Sequence, residues 1–114
     1  MPSRAEQQFA QLWELLHPSL DLHAEHRFDA SRRWRFDFAH LPSQTAIEIE
    51  GGVWTGGRHT TGAGFTKDCV KYLSASLQGW LVLRLTPSMI TADTLTSIAQ
   101  LIEKRSHAST HQSS

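Results

Sequence analysis

Two short segments in which apolar and polar residues alternate form the clearest pattern in the chain. They cover residues 34–38 and 46–50, and Leu41-Pro42-Ser43-Gln44 separates them. Alternation with a period of two predicts half-buried strands, and a short segment containing proline and serine predicts a turn. The sequence therefore predicts a β-hairpin near the middle of the chain.

Pairing the two strands around Pro42 and Ser43 sets the register of this hairpin. One face is then expected to bury the apolar side chains of Phe36, Phe38, Ile47 and Ile49. The other face carries the charged side chains of Arg35, Asp37, Glu48 and Glu50. In this register Asp37 lies directly opposite Glu48, and Arg35 lies opposite Glu50.

The facing acids Asp37 and Glu48 need an explanation, because like charges directly opposite each other on paired strands are destabilising. A divalent cation is one explanation, since Mg²⁺ binds few carboxylates and keeps several waters. Such an ion can bind a phosphate and lower the pKa of a water molecule. The alternative is that both are ordinary solvent-facing strand acids, with Glu50 paired to Arg35.

The N-terminal part of the chain predicts one helix and one strand. Ser3 and Glu6 have the spacing of a capping box, and apolar residues follow at helical spacing. The helix is expected to end near His17-Pro18, because a residue before proline avoids helical geometry. Residues 22–28 alternate between apolar and polar side chains, which predicts a strand before the hairpin.

The C-terminal part predicts a helix, a strand and a second helix. The first helix begins near Phe65 and ends at Gly79, and its packed side is expected to consist of Phe65, Cys69, Tyr72, Leu73 and Leu77. Residues 80–85 are apolar on both faces, as in a strand near the middle of a covered sheet. Thr91 is a good N-cap for the last helix.

Six of the seven glycines lie between Gly51 and Gly64. Glycine loses much conformational entropy on ordering, so this segment is expected to be a functional or mobile loop. The element order predicts an α/β (α+β) fold with a mixed central sheet flanked by helices, in a single domain over residues 1–104. Residues 105–114 lack apolar anchors and are expected to form a disordered tail.

Composition narrows the class of protein. A chain of 114 residues with zero formal net charge is unlike a strongly basic nucleic-acid coat protein. No apolar run approaches the roughly 20 residues that span a bilayer, and the N-terminus lacks a secretory signal pattern. Cys69 is the single cysteine, which excludes an internal disulfide and fits a reducing compartment. A cytoplasmic protein without membrane contact is therefore expected.

Together the motifs resemble those of the PD-(D/E)XK nuclease superfamily, and within it the compact endonucleases related to the very-short-patch mismatch-repair enzyme. The resemblance rests on Arg-Phe-Asp-Phe, Ile-Glu-Ile-Glu-Gly-Gly and Gly-Trp-Leu-Val-Leu-Arg, in this order around a helix. It implies a restriction-endonuclease-like αβββαβα core. It also implies Mg²⁺-dependent hydrolysis of DNA, by nicking or structure-specific cleavage, with Mn²⁺ as a substitute.

Carried over by position, Asp37 and Glu48 would be the two strand carboxylates, and the backbone carbonyl of Ile49 would be a third metal ligand. Glu50 stands where the superfamily has lysine, which is the main departure from the pattern. We expect Glu50 to help hold the metal or its water. The role of the usual lysine, activating water and stabilising charge, then needs another owner.

Four further residues are candidates for the catalytic site. Lys67 and Lys71 lie one helical turn apart after the glycine-rich segment, and either can reach back to the acids. Glu6 corresponds to a first-helix acid that points into the site in many superfamily members, although its capping-box role explains it equally well. His59 matches a loop histidine of the related enzymes and can act as acid, base or phosphate donor.

Candidate DNA contacts combine cations with one aromatic residue. Arginine binds phosphate through paired N–H groups, and an exposed tryptophan can stack on or wedge between bases. The expected contacts are Arg35, Trp54, Arg58, His59, Lys67, Lys71 and Arg84. No histidine pair has zinc-ligand spacing, and the glycines match neither a P-loop nor a dinucleotide fingerprint, so no nucleotide cofactor is expected.

Three functions remain open at this point. The first is a metal-dependent DNA endonuclease, and the second is a catalytically inactive nucleic-acid-binding module, which Glu50 in the lysine position would favour. The third is a protein-interaction subunit that uses the same surface. With one site per chain, cutting both strands would require a homodimer or two separate events. Repair, phage DNA processing and defence all remain open as pathways.

Overall fold

The computed structural model describes residues 2–51 and 62–112 of the chain. Its helices are α1 (Arg4–Leu16), α2 (Gly62–Leu77) and α3 (Ala92–Gln112). Its strands are β1 (His23–Arg27), β2 (Arg35–His40), β3 (Thr45–Ile49) and β4 (Leu81–Leu85), and a short 3₁₀ helix covers Pro87–Met89. This element order and the α+β class confirm the predicted fold.

The four strands form one mixed sheet in the order β1-β2-β3-β4. Strands β1, β2 and β3 pair antiparallel, whereas β4 pairs parallel to β3. Parallel neighbours need a crossover connection, and α2 lies between β3 and β4 in the chain. The crossover places α2 across one face of the sheet, above the strands that carry the acids.

Local sequence signals account for most element ends. The Ser3 hydroxyl accepts the N–H of Glu6 at 3.1 Å, and α1 ends with His17 as its C-cap. The Thr91 hydroxyl accepts the N–H of Thr94 at 3.2 Å at the start of α3. Gly79 has a φ of 92°, which a side chain rarely tolerates, so glycine is required after α2.

The hydrophobic core has two parts, one on each face of the sheet. The larger part packs α1 and α3 against the sheet through Phe9, Trp13, Phe38, Ile47, Ile49, Leu85, Leu95, Ile98, Ala99 and Ile102. The smaller part lies on the α2 side and consists of Phe28, Phe36, Ala39, Ala46 and Ala75, with Trp34, Leu41, Trp80 and Val82 partly buried against it. Consecutive β3 side chains therefore point to opposite faces of the sheet and pack in different parts of the core.

The predicted apolar face of the hairpin is wrong at one position. Phe36 was expected beside Phe38, but it packs in the smaller cluster with Ala39 and Ala46. In β1, Glu25 lies between the partners of Phe36 and Phe38 and has a φ of 51°. This left-handed conformation is uncommon outside glycine, and the alternating polar pattern gave no sign of it.

The predicted packed side of α2 is wrong for four of its five residues, and of these only Tyr72 faces the sheet. Phe65, Leu73 and Leu77 are 61%, 60% and 78% exposed, and Cys69 is exposed as well. Ala75 is the buried residue of this helix. The helix faces the sheet through Lys71, Tyr72 and Ala75, because the first two side chains reach a buried acid described below. Polar contacts with β3 thus override the helix's apolar stripe.

The C-terminal boundary differs from the sequence expectation. Helix α3 continues to Gln112, past the boundary predicted at residue 104. Arg105 anchors it, because its Nε donates to the carbonyl oxygen of Ser43 at 3.1 Å and to Thr45 Oγ1 at 3.0 Å. A disordered tail was expected because residues 105–114 lack apolar anchors, whereas the residue that anchors the helix is a cation. Within residues 2–51 and 62–112, no helix is long and apolar enough to cross a membrane.

Candidate active site

Asp37 and Glu48 lie where the β2–β3 ladder ends. Regular pairing joins Phe38 to Ile47 and continues toward the turn, as the predicted register requires. Beyond Phe38 the carboxylates replace the ladder: the Asp37 N–H donates to Glu48 Oε2 at 3.3 Å, and the Ile49 N–H donates to Asp37 Oδ2 at 2.7 Å. The two acids are thereby held side by side at the open end of the hairpin.

Two α2 side chains close over Glu48, which is 7% exposed. The Lys71 ammonium donates to Glu48 Oε1 at 2.7 Å, and the Tyr72 hydroxyl donates to the same oxygen at 3.0 Å. A buried carboxylate is costly unless it is paired and hydrogen-bonded. Lys71 supplies that charge, so a lysine stands beside the second strand carboxylate although position 50 carries an acid.

The electrostatics of the pair are unbalanced. The pKa of Asp37 is raised to about 6, chiefly by burial and also by the neighbouring charges of Glu48 and Glu6, after the Ile49 N–H and Lys71 have partly offset these effects. The first-helix acid Glu6 is half-buried, and its charge is among the causes that raise the pKa of Asp37; its predicted role in the site stays a prediction. Strongly perturbed carboxyl groups of this kind cluster at functional sites.

Burial beside Glu48 also raises the pKa of the Tyr72 hydroxyl, which keeps it a donor at neutral pH. Tyr72 was expected on the packing face of α2, but its contact with Glu48 was not predicted from the sequence. The available signal was its place directly after Lys71, on a helix that follows the strand acids. That signal is weak, because only the packing of α2 on β3 decides which side chains reach Glu48.

Glu50 does not join the carboxylate pair. Its side chain forms an ion pair with Arg84 of β4, and the Arg84 guanidinium lies 5.0 Å from the centre of the Tyr72 ring. Arg35 pairs instead with Glu25 of β1 at 3.3 Å. The expected pairing of Arg35 with Glu50 is therefore wrong. Arg35 pairs with a residue of β1, and Glu50 pairs with a residue of β4.

The donor set fits a hard divalent cation. Asp37 and Glu48 offer carboxylate oxygens, Ile49 lies next along β3, and Mg²⁺ commonly binds one or two carboxylates and keeps its waters. Burial is the main cause of the raised pKa of Asp37, the charges of Glu48 and Glu6 add to it, and a bound cation would favour the ionised carboxylate. Among the described residues, no group of three or more His, Cys, Asp or Glu side chains converges on one point, which does not fit a zinc cage.

The remaining predicted contacts fall into two groups. Lys67 is exposed one turn before Lys71 on α2, Arg35 is exposed on the inner strand β2, and Arg84 is exposed on the edge strand β4. Trp54, Arg58 and His59 lie outside the described residues, as does most of the glycine-rich segment. The structure thus brings together Asp37, Glu48 and Lys71, with Glu6 acting on them through its charge.

The arrangement has the parts needed for charge-stabilised hydrolysis. Two acids can hold a cation, and a positively charged lysine at the same point can orient a water molecule or stabilise developing negative charge. Water molecules and phosphate oxygens are the groups such a site can bind most readily. The Tyr72 hydroxyl fixes the Glu48 carboxylate that Lys71 contacts.

The fold of the chain is similar to that of a known protein domain. No protein-family model matches the chain, and no curated protein sequence matches it. Among solved structures, the chain is similar to the catalytic domain of the homing endonuclease I-Bth0305I, with a TM-score of 0.55 and 17% sequence identity over 90% of each chain. At this identity the likeness establishes a shared fold: the chain has the same α+β architecture as that domain.

Proposed function

We propose that this chain is a metal-dependent DNA endonuclease that hydrolyses phosphodiester bonds through a PD-(D/E)XK-type site. The observation that carries the proposal is the contact of Lys71 with Glu48 at 2.7 Å, beside Asp37 at the open end of the hairpin. Two carboxylates and a lysine are the side chains that the superfamily's pattern calls for. The lysine comes from α2 instead of position 50.

Each residue has a stated role in this proposal. Asp37, Glu48 and the Ile49 carbonyl would hold Mg²⁺, for which Mn²⁺ can substitute. When bound, the ion would supply an activated water and neutralise charge on the scissile phosphate. Lys71 would orient the attacking water and stabilise the phosphorane-like transition state through its charge. Glu6 would accept a hydrogen bond from a water at the site, and Tyr72 would position Glu48.

Glu50 takes a smaller part than the sequence predicted. Its ion pair with Arg84 occupies its carboxylate, so we propose that it shapes the β4 side of the site without binding the metal directly. Arg84 would then contact the DNA backbone only after exchanging this partner. The proposal for His59, Arg58 and Trp54 as loop contacts to DNA stands on the sequence resemblance alone.

DNA is proposed as the substrate because the shared fold is that of a homing endonuclease catalytic domain. One site per chain would nick one strand at a time. Cleavage of both strands would need two copies of the chain or two events. A shared fold alone does not carry an activity from one protein to another, so the carboxylate–lysine geometry bears the weight of the argument.

Nicking of supercoiled plasmid DNA tests the proposal. We expect cleavage with Mg²⁺ or Mn²⁺ and none with EDTA. Asp37→Asn and Glu48→Gln should each lower the nicking rate by at least about 100-fold, the scale of losing a group that stabilises a transition state. Glu103→Gln, an exposed acid on α3, is the matched control and should keep the wild-type rate. Unchanged nicking in both site variants would refute the assignment.

The alternative is an inactive nucleic-acid-binding module on the same fold, which the engagement of Glu50 with Arg84 at the motif position favours. In that case the protein would bind DNA with a steep salt dependence but would not cleave it with either metal. Calorimetry with Mg²⁺ separates the two functions: heat of binding that disappears in Asp37→Asn supports the nuclease, and its absence in wild type supports the module.

A further inference from the structure

The turn between β1 and β2 carries an unusual concentration of arginines. Residues 29–35 read Asp-Ala-Ser-Arg-Arg-Trp-Arg, and we call this segment the arginine turn. Asp29 organises it, because Asp29 Oδ1 accepts the backbone N–H groups of Ser31 at 2.9 Å and Arg32 at 3.2 Å. Asp29 Oδ2 accepts from Gln78 at 3.2 Å. The turn is thus tied to the end of α2 and presents its cations from a defined backbone.

An aromatic column supports the arginines from below. The ring of Trp34 stacks on Phe28, and Phe28 stacks on the buried Phe36 with ring centres 4.1 Å apart. The Arg32 guanidinium lies 5.0 Å from the centre of the Trp34 ring. Stacking fixes the plane of a guanidinium while its N–H groups stay available at the edges. Arg32 is therefore held in place and exposed.

Two open depressions adjoin this turn. One has a volume of about 440 Å³ and is lined by Arg32, Trp34, Thr66, Lys67 and Val70. The other has a volume of about 360 Å³ and is lined by Arg27, Arg33 and Arg35. Every cation lining them is exposed. The first depression lies between the arginine turn and α2, and the second is lined by residues of the arginine turn and β1; we treat them together as the surface around this turn.

The charge of this surface contrasts with that of the whole chain. Its five cations are Arg27, Arg32, Arg33, Arg35 and Lys67, and the nearby acids are Glu25, paired with Arg35, and Asp29, engaged in the turn. The formal net charge of the full chain is zero. A local excess of cations on a neutral protein attracts a polyanion to one place.

Two cations of this surface lie close along the chain to residues of the candidate active site. Lys67 lies four residues before Lys71 on α2, which is about 6 Å along a helix. Arg35 lies two residues before Asp37 on β2. A polyanion seated on the arginine turn would therefore run toward the carboxylate–lysine pair.

We propose that the arginine turn and the first turns of α2 bind the sugar–phosphate backbone of the nucleic acid next to the cleaved bond. This inference rests on the proposed function for the identity of the polyanion. The proposed contacts are to phosphates, because the guanidinium forks of arginine match phosphate oxygens and phosphate contacts position a protein on nucleic acid. The surface sets the position of the substrate and leaves the chemistry to Lys71 and the acids.

The test measures binding separately from cleavage. Full-length protein in EDTA is titrated against a fluorescein-labelled 30-base-pair duplex at several salt concentrations. Each lost phosphate contact lowers the slope of log Kobs against log salt by about 0.9. We expect the double variant R32A/R33A to lose about two slope units and at least about tenfold in affinity at low salt. The single change Lys104→Ala, an exposed cation on α3, should leave both quantities unchanged.

A charge-retaining variant guards against a merely structural effect. R32K/R33K should recover most of the slope, whereas a folding defect would not respond to the restored charge. If R32A/R33A binds like Lys104→Ala, or if wild-type protein binds no DNA in EDTA or Ca²⁺, the proposed surface is refuted. If the wild-type protein binds DNA with the expected salt dependence but does not nick it, the proposed nuclease function is refuted and the proposed surface is not. The two proposals can therefore fail independently.

Discussion

The two ends of the β2–β3 hairpin bury polar side chains in opposite ways. At the turn, His40 Nδ1 and Ser43 Oγ are 2.8 Å apart, and Ser43 Oγ donates to Thr45 Oγ1 at 2.9 Å. Arg105 completes the network from α3. Burial lowers the pKa of His40, so this histidine is neutral at physiological pH. Hydrogen bonds among neutral groups stabilise this end of the hairpin, and the cation Arg105 adds hydrogen bonds at its edge.

At the open end of the hairpin, regular pairing of β2 with β3 stops, and the polar groups there are two carboxylates and one ammonium. Asp37 and Glu48 share Lys71 as their nearest cation, and the pKa of Asp37 rises to about 6, chiefly because of burial. Among the described residues, no buried side-chain nitrogen or oxygen lacks a hydrogen-bond partner. Hydrogen-bond satisfaction therefore does not distinguish the two ends. Charge does, because two carboxylates face one ammonium at the open end, and a cation would be stabilised there.

The largest expected effect is on cleavage at the open end. Lys71→Met should lower the nicking rate at saturating DNA by about 100- to 1,000-fold, because it removes a charge that would stabilise the transition state. The variant should also melt at a lower temperature, since Glu48 loses its buried partner. Rates are therefore compared below the melting range, with Lys104→Met as control. Full activity in Lys71→Met would assign the lysine role elsewhere.

The next effect is on stability at the turn. Arg105→Ala removes donors to Ser43 and Thr45 and should cost about 2 kcal/mol, the scale of hydrogen bonds to a charged group. For a domain of this size the melting temperature should fall by about 5–10 °C. Calorimetry measures this, with Lys104→Ala as the neighbouring control. The nicking rate per folded molecule should not change, and a selective loss of activity would contradict a structural role.

A smaller, pH-dependent effect is expected for Asp37→Asn. The folded-state pKa of Asp37 is raised from 3.8 to about 6, so the ionised carboxylate destabilises the metal-free fold above pH 6. Removing it should stabilise the metal-free protein by about 1 kcal/mol at pH 8, after allowance for partial exposure. The gain should shrink as the pH falls from 6 to 4, where wild-type Asp37 becomes protonated.

Thermal unfolding in EDTA across this pH range measures the effect. Mg²⁺ at pH 8 should raise the melting temperature of wild type and leave Asp37→Asn unchanged, because ligands that bind only the folded state stabilise it. Glu14→Gln, an exposed acid on α1, is the control. A destabilised Asp37→Asn at pH 8 would mean that the carboxylate strengthens the fold and that the charge imbalance is overstated.

The smallest expected effect belongs to Glu50. Its ion pair with Arg84 is partly exposed, and pairs of that kind contribute little, so Glu50→Gln should change stability by less than about 1 kcal/mol. Nicking should stay within about threefold of wild type, because the carboxylate is engaged away from Asp37. The same plasmid assay measures it. A loss as large as that of Glu48→Gln would return Glu50 to the metal site.

Much of the fold could be predicted from local pattern. The hairpin register, the ends of α1 and the start of α3 follow from alternation, capping and proline geometry, which act within a few residues. The packed side of α2 could not be predicted this way. Its apolar stripe points outward, since the inner face is chosen by Glu48, an acid 23 residues before Lys71 in the chain.

The candidate site divides along the same line. Sequence alone determined that Asp37 and Glu48 lie side by side, because strand pairing around a short turn leaves little freedom. Only the tertiary structure decided which cation serves them, that Tyr72 joins Lys71, and that Glu50 turns to Arg84. It also assembled the arginine turn with Lys67 into one surface. Local pattern specifies each element, whereas the meeting of side chains from different elements depends on how those elements pack.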